Sequence, residues 1–159
     1  MPLSFIVPGT PQQRGSKKAV VSKSTGKAIA IDMNQKKSKP WMSLVKDCAW
    51  LAIREQGWVM TEKQPIRLTA QYHFARPKSH YGRGRHSSTV KPSAPVLFHA
   101  NPPDLSKLTR CLEDALTGIV WDDDSRVAAY GDGYGKFWTT DEPYTKVLVE
   151  VIQEKLPDA

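Results

Sequence analysis

The chain has 159 residues, 40% of them hydrophobic, with five tryptophans and a formal net charge of +7. That is enough apolar material for one core of ordinary size, so a single domain over 1–159 is expected. No stretch approaches the ~20 apolar residues of a membrane span, and the first apolar run, Leu3 to Val7, is short for a signal-peptide core and has no basic leader; a cytoplasmic protein with no membrane partner is expected.

Residues 2–7 read as a short strand, closed by the turn signal Pro8-Gly9-Thr10-Pro11. A polar, basic stretch follows, in which Ala19-Val20-Val21 and Ala28-Ile29-Ala30-Ile31 are spaced to pair as a hairpin about Ser24-Thr25-Gly26. From Trp41 the apolar positions Leu44, Val45, Cys48, Ala49, Ala52 and Ile53 recur at helical spacing. Pro40 suits a first turn and Gly57 ends the pattern, which predicts a helix over roughly 39–56. Ile66, Leu68, Ala70, Tyr72 and Phe74 share one parity, the alternation of a half-buried strand over 65–75. Regularity then stops: residues 77–103 hold five prolines, two glycines and no acid, the composition of a basic, flexible loop. Leu105, Leu108, Leu112, Ala115 and Leu116 mark one face of a short helix ended by Gly118, with strands expected at 126–130 and 147–151. The order predicts an α/β or α+β domain: a mixed β-sheet with two main helices packed on one face. Cys48 and Cys111 lack metal-ligand or CxxC spacing and are expected as buried free thiols.

Charge is distributed unevenly. Residues 1–100 carry 17 Lys+Arg against 4 Asp+Glu, while residues 101–159 carry 6 against 12. A basic front half is the footprint of a surface that meets a polyanion. Its candidate phosphate contacts are Arg14, Lys17, Lys18, Lys36, Lys37, Arg76, Lys78, Arg83 and Arg85, with Tyr81 the aromatic best placed to touch a base. His80, His86 and His99 have no metal-ligand spacing and are expected as surface or loop residues.

The acids gather at two points. Asp104 follows two prolines and precedes the leucine repeat, which places it at a helix N-cap, where an aspartate commonly accepts backbone N–H bonds. Lys107 and Arg110 lie one and two turns along, clear of the leucine stripe. The second point is Trp121-Asp122-Asp123-Asp124-Ser125, just before a strand-like run. Three adjacent carboxylates repel one another unless a positive charge sits among them, and carboxylate oxygens are what Mg²⁺ prefers. A helix start and a strand start that converge at one end of a sheet would bring Asp104 to Asp123 or Asp124. In a basic protein, that constellation reads as metal-assisted phosphodiester hydrolysis.

The stretch "PPDLSKLTRCLEDALTGIVWDDDSRV", beginning at Pro102, resembles the RusA family of Holliday-junction resolvases, and "RPKSHYGRGR…KPSAP" upstream is similar to its phage and actinobacterial members. The resemblance implies a homodimeric endodeoxyribonuclease, dependent on Mg²⁺ with Mn²⁺ as a substitute, that binds four-way or other branched DNA and resolves it by paired nicks in recombination and repair. It implies no small-molecule cofactor. Carried across, the family's first catalytic aspartate falls on Asp104 and its later one on Asp124, with Asp123 the neighbouring acid; these three would hold the metal. The family's catalytic lysine falls on Arg110, which keeps the charge and changes its geometry. The sequence departs from the pattern at Ser106, where a second aspartate is usual, and Asp122 stands as an extra acid able to restore that charge. Two other functions fit the same residues: a non-catalytic DNA-binding module derived from such a nuclease, and a nuclease for other branched DNA or RNA.

Overall fold

The computed structural model describes residues 2–15 and 17–154. Its principal sheet has five strands. β1 (Leu3–Pro8) lies at one edge, antiparallel to β7 (Tyr144–Val151), which pairs antiparallel with β4 (Ile66–Ala75). The far side of β4 is shared by two short parallel strands, β5 (Val127–Tyr130) along its start and β6 (Gly135–Thr139) along its end. The sheet is therefore mixed.

Register puts one parity of every strand on one face: Leu3 opposes Val149, which opposes Leu68, and Phe5 opposes Val147, which opposes Ala70. All six are buried. Onto this face pack α1 (Gln35–Gln56), through Trp41, Val45, Ala49 and Ala52, and α2 (Leu105–Leu116), through Leu108, Cys111, Leu112, Ala115 and Leu116. Truncating a fully buried side chain here, such as Leu112→Ala, costs about 2–5 kcal/mol. The expected single-domain α/β layering, with both helices on one face, is what forms.

Two details differ from expectation. α1 begins at Gln35, about a turn before Pro40. Proline's missing N–H leaves the Lys36 carbonyl without a helical partner, but Lys36 is exposed, so solvent meets it. Strand β6 has no counterpart in the sequence reading, because Gly131, Gly133 and Gly135 read as turn and the pairing that orders it comes from β4, far back in the chain. Gly131 is needed there: a Cβ would collide with the Thr69 hydroxyl. The predicted hairpin forms as a separate two-stranded ribbon, β2 (Lys17–Val21) and β3 (Ala28–Asp32), with Val21 opposite Ala28. At its other end α1 stops as expected, at Gly57, whose φ of 71° is left-handed and whose N–H bonds back to the Ile53 carbonyl.

Residues 77–103 contain two 3₁₀ turns, Lys78–His80 and Gly84–His86, and reach α2 through a cis Pro102–Pro103 bond. Cys111 is buried and its thiol is pushed up to about 12 by burial, while Cys48 is half-buried. Both are free thiols. No helix among the described residues is long and apolar enough to cross a membrane.

Candidate active site

Asp104 occupies the N-cap of α2 but makes no side-chain capping bond. Its carboxylate is exposed and lies 3.9 Å from Lys107 Nζ. The segment before it is held from the sheet: Lys136 on β6 donates to the carbonyls of Asn101 and Pro103, each at 2.7 Å. Burial lowers the Lys136 pKa, and the nearby Asp104 charge opposes that shift. A carboxylate that caps nothing in this position is available to a ligand.

The three adjacent aspartates do not share one environment. Trp121 is fully buried, with its indole N–H donating to Thr117 Oγ1 at 3.0 Å, and it anchors the turn. From that anchor Asp122 turns to Arg126, which grips it with two hydrogen bonds of 2.7 and 2.9 Å and holds its carboxyl below the usual range. Asp123 accepts the Ser125 N–H at 2.8 Å and caps the short 3₁₀ turn Asp124–Arg126. Asp124 faces a cleft of about 580 Å³. Asp122 and Asp123 are thus each held by a separate protein partner, and Asp122, gripped by Arg126, does not line the cleft that holds Ser106.

The cleft is lined by Leu105, Ser106, Thr109, Arg110, Glu113 and Asp114 from α2, by Asp124, and by Tyr130 and Tyr134 from β5 and the turn after it. Positions 106, 109, 110 and 113 fall on one helical face. Thr109 and Tyr134 hydroxyls lie 2.6 Å apart and Tyr134 also meets Tyr72 at 3.1 Å, a floor that fixes the aromatic wall. Burial pushes Tyr134 up to about 12. Glu113 is held above the usual carboxylate range, chiefly by burial and further by the charges of Asp124 and Asp114, against the hydrogen bond it accepts from Tyr130. A second cleft of about 440 Å³, between α2 and the β2–β3 ribbon, shares Arg110 and Asp114 with the first and adds Arg14, Asp32 and Lys39.

Of the residues singled out from sequence, Ser106, Arg110 and Asp124 meet in the first cleft. Asp104 and Lys107 stand at the mouth of the same helix, and Asp123 is occupied as a cap. Among the described residues, no three His, Cys, Asp or Glu side chains come together as a group able to hold a metal. Mg²⁺ keeps several of its waters and is commonly held by one or two carboxylates plus substrate phosphate, and the cleft lining includes one residue of each fitting type, the carboxylate Asp124 and the cation Arg110.

The basic residues divide. Arg14 is bound to Asp114 at 2.9 Å and to Asp32 at 3.3 Å, and Arg76 donates to the carbonyls of Pro95 and Val96. Lys18, Lys36, Lys37, Lys78, Arg83 and Arg85 are exposed; Lys17 begins β2, and its side chain lies outside the described residues. Tyr81 is half-buried and bridges to Val90, His99 is buried against Trp138 with rings 3.9 Å apart, and His80 and His86 lie in the loop. Glu113, Asp114, Tyr130, Tyr134 and Lys136 were not foreseen. Helical spacing from Ser106 and Arg110 points to Glu113; only the fold brings the tyrosines and Lys136 there.

No curated protein matches the chain. The model of one protein family, described as endodeoxyribonuclease RusA, matches residues 8–150, nearly the whole length and including both acidic elements and the cleft. The chain belongs to the RusA endodeoxyribonuclease family.

Proposed function

We propose that this protein is a Mg²⁺-dependent endodeoxyribonuclease that resolves four-way and related branched DNA by paired nicks, acting as a homodimer in recombination and repair. The observation that carries the reading is that Asp124 and Arg110 line one cleft in a strongly basic chain of an endodeoxyribonuclease family. Asp124, from the cleft, and Asp104, from the N-cap of α2, would hold the ion, with Mn²⁺ able to replace it; when bound it supplies positive charge and acidifies water. The Arg110 guanidinium offers two parallel N–H donors to the non-bridging oxygens of a phosphate and orients it in the cleft. Lys107, beside Asp104, adds charge against the flanking phosphate. Exposed Lys36, Lys37, Lys78, Arg83 and Arg85 hold the backbone on either side without reading sequence.

A non-catalytic DNA-binding module is the second reading, favoured by Ser106 and by the separate partners of Asp122 and Asp123. A synthetic four-way junction incubated with wild type and with Asp104→Asn separates the two. Nicking in Mg²⁺ that stops in EDTA and falls about a hundredfold or more in the variant is expected, since a lost metal ligand removes several kcal/mol of transition-state stabilisation at 1.36 kcal/mol per tenfold. Junction binding should survive the substitution. Binding without nicking by wild type would establish the second reading.

A further inference from the structure

The loop before α2 carries three consecutive large apolar residues in the open: Val96 is 92% exposed, Leu97 46% and Phe98 67%. Their backbone is nevertheless fixed from both sides. Arg76 donates to the Pro95 carbonyl at 2.6 Å and to the Val96 carbonyl at 2.7 Å, the Leu97 carbonyl accepts the Trp138 N–H at 2.8 Å, and Phe98 bridges to Phe137. Behind Phe98 runs a file of rings: Phe137 at 5.2 Å, then His73 at 5.3 Å from Phe137, then Tyr144 at 4.3 Å from His73. Phe98 is the open end of that file, held out by rigid backbone.

Two observations identify what covers it. First, the surrounding segment is cationic without relief: residues 77–103 include Lys78, Arg83, Arg85 and Lys91 and no acid, and hydrogen bonds from Lys91 N to His80 O and from Ala94 N to Lys91 O set Lys91 at the base of the tip. An apolar tip carried on a loop whose own charged residues are all basic complements a polyanion that exposes flat apolar faces, which is nucleic acid with unpaired bases. Paired duplex hides those faces; a branch point does not. Second, the tip is continuous with the candidate active site, because the short stretch from His99 to Asp104 is clamped by Lys136 at Asn101 and Pro103.

We infer that Val96, Leu97 and Phe98 form a wedge that enters the branch point of a DNA junction, with Phe98 stacking on an unpaired base. The wedge rests on the branched-DNA reading above. It would open the crossover and set the scissile phosphate relative to Asp104. Apolar wedges at unstacked steps and aromatic platforms for single bases are established ways of gripping DNA.

The test measures binding in EDTA to a four-way junction and to linear duplex of equal length, for wild type, Phe98→Ala, Phe98→Trp and Val96→Ser. Phe98→Ala should weaken junction binding about tenfold or more, the worth of one aromatic–base stack, with duplex affinity changed less than about twofold; Phe98→Trp should retain junction affinity. Val96→Ser, at a position too exposed to affect folding, should weaken the junction alone by about threefold. With 2-aminopurine at the branch nucleotides, wild type should raise fluorescence on binding and Phe98→Ala should not. If wild type prefers the junction and Phe98→Ala keeps that preference, or loses junction and duplex affinity equally, the wedge falls and the nuclease reading stands. Wild type with no junction preference overturns both. Self-association of wild type abolished by Phe98→Ala would make the tip a protein contact and overturn the wedge.

Discussion

Tyr130 Oη donates a hydrogen bond of 2.8 Å to Glu113, joining the end of β5 to the cleft face of α2. Glu113 and its neighbour Asp114 are the carboxylates that α2 presents to the cleft, two helical turns from position 106, where the family pattern has an aspartate.

Ser106→Asp should therefore return a carboxylate to the wall that faces Asp124. An anionic oxygen attracts a hard dication more than a hydroxyl does, and an aspartate in the first turn also complements the helix dipole. Roughly fivefold less Mg²⁺ for half-maximal junction cleavage is expected, corresponding to ~1 kcal/mol of added attraction. Titration of cleavage against Mg²⁺ checks it; identical curves would mean that position 106 does not act on the metal.

Glu113 makes stability depend on pH. Its folded pKa is raised, chiefly by burial, so the folded state holds this proton more tightly than the unfolded chain. The stabilising contribution is complete below the ordinary value of about 4.3 and is lost as pH rises through the raised value. Glu113→Gln, which stays neutral, should gain melting temperature relative to wild type as pH goes from 4 to 8 in EDTA. A difference between the two proteins that does not grow over that range would contradict the burial.

Arg83 and Arg85 stand exposed on a loop segment without acids. Replacing both with alanine should lower the slope of log affinity against log salt by ~2 units, one for each phosphate no longer neutralised. Binding isotherms between 50 and 200 mM salt measure this. An unchanged slope would leave the two arginines as a solvated surface.

Paired nicks need two clefts, and each chain holds one copy of the Asp124–Arg110 arrangement, so a two-fold pair is expected. Sedimentation at micromolar concentration should give about twice 17.8 kDa. A mass of one chain, persisting with junction DNA bound, would remove the basis for symmetric cleavage.

Where burial is periodic, the sequence alone was sufficient: Ile66 to Phe74 alternate because one sheet face packs on the core, and the Leu105–Leu116 stripe repeats because one helix face does. The stretch from Pro102 to Val127 likewise carried the family in its order of residues, and the resemblance there is what proposes Asp104, Arg110 and Asp124 as site residues. It carried nothing about how Asp122, Asp123 and Asp124 differ. That was decided by Arg126 and Ser125, whose bonds turn two of the acids away and leave the third to the cleft. The same holds for Tyr130, Tyr134 and Lys136, and for strand β6, which exists only because β4 offers an edge more than sixty residues earlier. Periodicity records which side of an element is dry; which side chains meet depends on how the chain returns to itself, and no local pattern encodes that path.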